Sequence, residues 1–266
     1  MSIRFSILAA AVLAAAPGCK RRGGGEGGIT IAGSTSVQPF AEQWAEAYHE
    51  KHGGAEINVQ GGGSTAGVKA TIDGAADIGS CSRELKPEEA AQVKATVVAV
   101  DGETMVVHPD NPVTDLTVDQ VRGIYAGDIG NWKDVGGPDR KINVVTREVG
   151  SGARGAFEEL AMGGKSIAAS ALVQNSQGAV RQMVSTDSSA IGYVSHGVVD
   201  KSVKPLELNG IEPTLETVKN GSYPLVRPFL FLTKGDPAGP AKEFIDWVLG
   251  PEGQAIAAKE GLFPPK

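Results

Sequence analysis

The sequence predicts an α/β protein in which mostly parallel sheets, flanked by helices, form two lobes. Three observations support this prediction: strand-like and helix-like runs alternate along the chain, glycine–serine turns join them, and no repeat of fixed period appears. Such alternation is typical of βαβ units in an open sheet. A chain of 266 residues is long enough to bury two cores of modest size.

The first unit begins with a strand at 29–32, where apolar residues alternate. An amphipathic helix follows at 37–53, with Phe40, Trp44 and Tyr48 on one face, as expected of side chains that pack in a core. The remaining elements predicted for this unit are strands at 56–60 and 76–80, a helix at 66–74 and a solvated helix at 87–95.

The second unit starts near residues 102–113, where prolines punctuate the end of a strand. Thr117 is a suitable cap for a helix at 116–127. The elements predicted after it are a loop at 131–138, strands at 141–146, 190–195 and 224–233, a helix entered from 149–155, and a C-terminal helix or pair at 241–261. The aromatic residues Trp132, Phe157 and Trp247 are interpreted as core residues.

Three turns share one composition: "AGSTSV" (32–37), "GGGSTAG" (61–67) and "VGSGARG" (149–155). Each follows a predicted strand and opens a predicted helix. Free N–H groups and the positive end of the dipole lie at a helix N-terminus, glycine lets the backbone curl, and hydroxyls add donors. Together these features suit a compact tetrahedral oxyanion. The alternative is an ordinary cap at each turn.

Arg147 stands just before the third turn, and its planar guanidinium matches oxyanion oxygens two at a time. The alternative is a surface arginine paired with Glu148. Arg154 is a second candidate, although it can equally be an outward-facing charge.

The N-terminus is typical of an export signal. A basic residue, Arg4, and a run of about a dozen apolar residues precede Cys19. The apolar run is too short to span a bilayer. Small residues before Cys19 resemble the lipobox of bacterial lipoproteins, so we expect a signal peptide at 1–18, lipidation at Cys19 and a glycine-rich tether at 19–28. The alternative is a cleaved signal with a spare cysteine. The expected location is outside the cytoplasm, on a membrane surface.

The formal net charge of −6 argues against nucleic-acid binding. No histidine spacing predicts a metal site, and no cofactor is expected. A secreted hydrolase is a weaker alternative, because Ala153 occupies the last position of the G-x-S-x-G pattern around Ser151. A dinucleotide fingerprint at Gly61, Gly63 and Ala66 is a further alternative, with Glu84 near the place of a ribose-binding acid.

The stretches "ITIAGSTSVQPF", "GGGSTAGVKATIDGAADIGSCSREL", "GDIGNWKDVGGPDRKINVVTREVGSGARGAFE", "AIGYVS" and "NGSYPLVRPF" occur in this order. Together they resemble the PstS-type phosphate-binding proteins of ABC phosphate-uptake systems, from about Ile29 to the C-terminus. The resemblance implies a non-enzymatic, monomeric receptor with a type II-like periplasmic-binding-protein fold, which closes on one phosphate and delivers it to a membrane permease. It also implies two hinge crossings, with 29–104 and 224–266 in the first lobe and 105–223 in the second.

The resemblance also implies a set of phosphate-binding residues, two of which depart from the family pattern. Ala153 stands in place of the usual threonine, and Ser82 in place of a carboxylate that accepts the phosphate proton. Glu84 or Glu148 is a candidate for the missing acceptor, and sulfate or molybdate is an alternative ligand. The implied phosphate-binding residues are Ser34, Thr35, Ser36, Ser64, Ser82, Arg147, Ser151, Gly152 and Ala153.

Overall fold

The structure is a computed structural model that describes residues 28–53 and 55–265. The predicted signal peptide, Cys19 and the tether up to residue 27 therefore lie outside the described residues. No helix among the described residues combines the length and the apolar character that crossing a membrane requires.

The described strands and helices alternate along most of the chain, as predicted. The strands are β1 (Ile29–Gly33), β2 (Ile57–Gly61), β3 (Ile78–Cys81), β4 (Lys94–Val107), β5 (Asp115–Leu116), β6 (Asn143–Arg147), β7 (Leu172–Gln174), β8 (Ala190–Ser195), β9 (Lys204–Pro205), β10 (Glu207–Leu208) and β11 (Val226–Thr233). The α-helices are α1 (Gln38–His52), α2 (Ser64–Asp73), α3 (Pro87–Ala90), α4 (Val118–Ala126), α5 (Gly152–Leu160), α6 (Gln177–Thr186), α7 (Leu215–Lys219), α8 (Gly239–Leu249) and α9 (Pro251–Lys259), and 3₁₀ helices span Trp132–Val135 and His196–Val198.

The main sheet has the strand order β2-β1-β3-β11-β4-β8-β6-β7, with β9 added to β4. The strands β2, β1 and β3 at one end are parallel, and so are β8, β6 and β7 at the other. Between them β11 and β4 run antiparallel to their neighbours. The long strand β4 pairs with β11 over residues 94–102 and with β8 over 103–107, so a single strand joins the two halves of the sheet.

Two hydrophobic cores lie on the two halves. In the first, Trp44 meets Phe231 edge to face at 5.8 Å between ring centroids, and α1 and α8 cover the sheet. In the second, Phe157 of α5 stacks on Tyr193 of β8 at 4.4 Å. Pairs of this geometry add to the free energy gained by burying the rings. The aromatic residues predicted as core are buried, except for Trp247, which is half-buried.

Some elements differ from the prediction. The expected helix at 87–95 is only the single turn of α3, because the β-branched residues after Lys94 extend instead as the first part of β4. The expected loop at 131–138 contains a 3₁₀ helix that begins at Trp132. Neither β7 nor α6 was predicted. Helix α6 contains serine, threonine and an internal glycine, which are weak helix formers, and it is stabilised by packing of Val180 and Val184.

Candidate functional site

The three glycine–serine turns lie at the carboxyl ends of strands and open helices, as predicted. The first follows β1 and enters α1, the second follows β2 and enters α2, and the third follows β6 and enters α5. The register of the parallel strands places Gly33 of β1 opposite Gly61 of β2, so the first two turns emerge side by side. Three helix N-termini, each with partial positive charge, are therefore available at the turns.

A cluster of buried serine hydroxyls joins the first two turns to the end of β3. Ser34 Oγ donates to Ser82 Oγ at 2.8 Å, and Ser64 Oγ lies 3.4 Å from the same atom. The Ser82 N–H donates to Ser64 Oγ at 3.0 Å. Each of the three side chains is at most 2% exposed. The structure thus brings together residues that are up to 48 positions apart in the chain.

The third turn contacts the second directly, which brings α5 to the serine cluster. The Thr65 N–H donates to the Gly150 carbonyl oxygen at 3.1 Å. At Gly152 a Cβ atom would lie 2.1 Å from Ser64 Oγ and 2.4 Å from Ser82 Oγ, so only glycine fits at this position. Gly152 and Ala153 are the first two residues of α5, where N–H groups have no acceptor within the helix.

Arg147, the last residue of β6, reaches across to the first turn. Its side chain is 1% exposed, with Nη2 donating to Thr35 Oγ1 at 2.8 Å. Glu148 accepts from Nε and Nη2, each at 2.9 Å. The buried Nη1 atom has no hydrogen-bond partner among the described residues. Arg147 therefore pairs with Glu148, as the alternative predicted, but it is buried and does not lie on the surface.

The other predicted site residues occupy the same region in different roles. Ser36 is buried, and its N–H donates to Ser34 Oγ at 3.1 Å. Ser151 caps α5 by accepting from the Arg154 N–H at 3.4 Å, and the methyl group of Ala153 packs in the second core. In the described part of the chain no histidine hydrogen-bonds to Ser151.

The two candidates for the missing proton acceptor differ in position. Glu84 is exposed, and its backbone oxygen accepts from Arg83. Glu148 lies at the site, and each of its carboxylate oxygens accepts a hydrogen bond from Arg147. Arg154, the second cation considered, pairs with Glu158 at 2.8 Å and donates to the Arg147 carbonyl oxygen at 3.1 Å. It therefore links α5 to the last residue of β6.

Sequence reasoning missed several buried polar residues next to the turns. Gln177, 3% exposed at the start of α6, donates to the Ser36 carbonyl oxygen at 3.4 Å and accepts from the Ser195 N–H at 3.0 Å. Asp101, Glu103 and Arg227 form a buried ionic cluster in the middle of the sheet. Burial raises the pKa of Glu103 to about 8, although Arg227 opposes the shift. No group of three or more potential metal ligands occurs in residues 28–53 and 55–265.

Comparison with known proteins places the chain in a family. A sequence model of the PBP superfamily domain matches residues 20–252. The phosphate-binding protein PstS of Bacillus subtilis is 35% identical over 243 residues, which cover 90% of this chain and 81% of the relative. The chain belongs to the PstS family.

Solved structures agree with PstS-family membership. A substrate-binding protein of a phosphate ABC transporter from Clostridium perfringens, solved with bound phosphate, superposes with a TM-score of 0.87 and 42% identity, over 90% of this chain and 100% of the other. An ABC-type phosphate transport receptor from Vibrio cholerae gives a TM-score of 0.76 and 42% identity, over 89% and 100%. The predicted two-lobed fold is confirmed, whereas the lobe boundaries and the individual phosphate contacts stay predictions.

Proposed function

We propose that this chain captures inorganic phosphate between its three glycine–serine turns and delivers it to an ABC permease for uptake. The observation that carries the proposal is the contact of the three turns with one another and of the first turn with the buried Arg147, whose Nη1 atom has no hydrogen-bond partner among the described residues. A buried donor without an acceptor costs free energy, and an anion that accepts from it recovers that cost.

The proposed binding uses neutral dipoles and one guanidinium, and it involves no covalent chemistry. Hydroxyls of Ser34, Ser64 and Ser82 and the N–H groups of Gly152 and Ala153 supply further donors. Each hydrogen bond to a charged group contributes about 1.5–3 kcal/mol, and several of them are enough for micromolar binding at about −8 kcal/mol. The relatives from B. subtilis and C. perfringens support phosphate as the ligand.

Calorimetric titration tests the ligand. We expect a soluble form of the chain that begins at Gly23, freed of bound ligand, to bind one phosphate tightly. Absence of heat with sulfate would show that another group accepts the phosphate proton in place of the carboxylate that Ser82 replaces. Binding of both anions, or of sulfate alone, would keep the fold and assign another oxyanion as the ligand. Ser82 leaves this alternative open, since a hydroxyl does not repel sulfate. Heat from neither anion would contradict the proposed function.

We further propose that a lipid on Cys19 anchors a monomeric receptor to the outer face of the membrane that contains the permease. The sequence around Cys19 supports this placement. Radiolabelled fatty acid is expected to enter the wild-type chain expressed in a bacterial host and to be absent from Cys19→Ser. Equal labelling of the two chains, or labelling of neither, would contradict the anchor.

A further inference from the structure

A second set of buried charges lies outside the three turns, on the two central strands of the sheet. Asp101 and Glu103 of β4 are fully buried, and Arg227 of β11 is 1% exposed. Arg227 Nε and Nη2 lie 2.9 and 2.8 Å from Asp101 Oδ2, and Nη1 lies 2.8 Å from Glu103 Oε1. The two acids lie where the pairing of β4 with β11 ends and its pairing with β8 begins.

The two acids in this cluster are not equivalent. Asp101 Oδ1 accepts from Ser195 Oγ at 2.7 Å and from the His196 N–H at 3.2 Å, and Oδ2 accepts from Arg227. Neither oxygen of Glu103 accepts a hydrogen bond from the described residues, because the contact with Arg227 Nη1 is short but poorly directed. A buried carboxylate without donors is costly in its ionised form. Glu103 is therefore the member of the cluster that holds a proton most readily.

Glu103 also lies two strands away from Arg147 in the sheet, because β8 alone separates β4, which contains Glu103, from β6, which ends at Arg147. Burial has the largest effect on the pKa of Glu103 and raises it, as does Asp101, whereas Arg227 and, to a smaller extent, Arg147 lower it. The N–H of Arg147 donates to Tyr193 Oη at 3.2 Å, and Tyr193 in turn interacts with the charge of Glu103. The charged or titratable groups that surround Glu103 are Arg227, Asp101, Arg147, Tyr125, Tyr193 and Tyr223. An anion bound to Arg147 offsets the positive charge of the guanidinium, and this charge stabilises the ionised form of Glu103.

We propose that Glu103 takes up a proton when phosphate binds, so that anion capture at the three turns is linked to protonation of a carboxyl group at the centre of the sheet. This inference rests on the proposed function and adds a residue that controls its pH dependence. Bound phosphate weakens the effect of Arg147 and adds negative charge of its own. Both changes favour the neutral form of Glu103.

The sign of the pH dependence follows from linkage. The pKa of Glu103 is about 8 before the anion adds its charge, and a bound anion raises it further. Well below pH 8 the group is protonated in both states and no proton is exchanged. As the pH rises through and above 8, binding requires proton uptake, and the affinity falls by up to about tenfold per pH unit.

Calorimetric titration with phosphate in two buffers of different ionisation enthalpy measures how many protons the chain takes up on binding, because the buffer that supplies the protons adds its own ionisation heat. At about pH 8.5 inorganic phosphate is almost entirely dianionic, and His196, whose pKa is lowered by burial, is neutral. We expect the wild-type chain to take up between about half and one proton per phosphate. Glu103→Gln is expected to bring this number close to zero and to flatten the decline in affinity between about pH 8 and pH 9.5.

Glu88→Gln is the matched control, because it removes an exposed carboxylate that lies outside the three turns and was not a candidate for the site. It is expected to keep the proton uptake of the wild type. The inference is overturned if the wild-type chain binds phosphate without proton uptake at pH 8.5, or if Glu103→Gln binds phosphate with unchanged uptake. Should Glu103→Gln not fold, Glu103→Met provides the same comparison. Absence of phosphate heat at every pH would contradict the proposed function itself, which distinguishes the two failures.

Discussion

Arg147→Ala is expected to weaken phosphate binding by at least about a hundredfold while leaving the fold intact. The substitution removes the free Nη1 donor and the contact between Nη2 and Thr35 Oγ1. It also leaves Glu148 beside the anion without its cationic partner. Truncation of one partner of a buried charge pair costs about 2–5 kcal/mol, and about 2.7 kcal/mol corresponds to a hundredfold change in affinity. Glu148 is 30% exposed, so water can solvate it and the fold is expected to survive.

The measurement is calorimetric titration with phosphate, together with thermal unfolding of the ligand-free chain. Arg140→Ala is the control, since Arg140 is an exposed arginine that lies away from the turns and bonds to Ser188. A double variant, Arg147→Ala with Glu148→Gln, is expected to recover part of the affinity, because it removes the unpaired carboxylate. Affinity of Arg147→Ala within threefold of the wild type would show that the anion binds elsewhere.

The three turns are the part of the site that could be predicted from sequence, and the reason is local. Glycine next to serine after a strand-like run determines where a helix begins, and the free N–H groups at that point follow from helix geometry. The turn at residues 149–155 shows this clearly: Ser151 is the cap of α5, and Arg147 ends the strand before it. Such features depend on neighbours within a few residues, so one sequence is sufficient to find them.

The buried ionic cluster shows why the rest could not be predicted. Asp101 and Arg227 are 126 positions apart and meet only because β11 pairs with β4. In sequence, Asp101 and Glu103 flank a glycine and are typical of an exposed turn. Gln177 is similar, because its two contacts lie 141 and 18 positions away. Roles that depend on strand order and long-range pairing leave no local pattern.

Ser82, which stands where the resemblance implies a carboxylate, affects which anions the proposed site can accept. Its hydroxyl accepts from Ser34 Oγ and lies close to Ser64 Oγ, while its backbone N–H donates to Ser64. A carboxylate in the same place would repel an anion that carries no proton, whereas these linked hydroxyls accept or donate as required. Ser82 therefore gives the proposed site no means of repelling sulfate, which has the same tetrahedral shape as phosphate. Selectivity for phosphate would require another group that accepts the phosphate proton.

Packing at Gly152 provides the second large effect. Gly152→Ala is expected to weaken phosphate binding by about a hundredfold or more. The added methyl group would lie 2.1 Å from Ser64 Oγ and 2.4 Å from Ser82 Oγ, and both serines are fully buried. Short side chains inside a packed core cannot rotate away, so α5 has to move back from the serine cluster. The N–H groups of Gly152 and Ala153 would then move out of hydrogen-bonding distance of an anion that Ser64 contacts, and each lost bond to a charged acceptor costs about 1.5–3 kcal/mol.

Gly178→Ala is the matched control for this substitution, because Gly178 also lies in the first turn of a helix, but its added methyl group would meet only Ser176 Oγ at 3.9 Å. Calorimetry is expected to give wild-type affinity for Gly178→Ala and a large loss for Gly152→Ala. Because the clash involves serine side chains at the contact between the turns rather than apolar side chains of the cores, the thermal midpoint without ligand is expected to change little. Comparable affinity in both glycine variants would show that phosphate binding does not require contact between the third turn and the serine cluster. A large fall in the ligand-free midpoint of Gly152→Ala would show instead that this contact supports the fold.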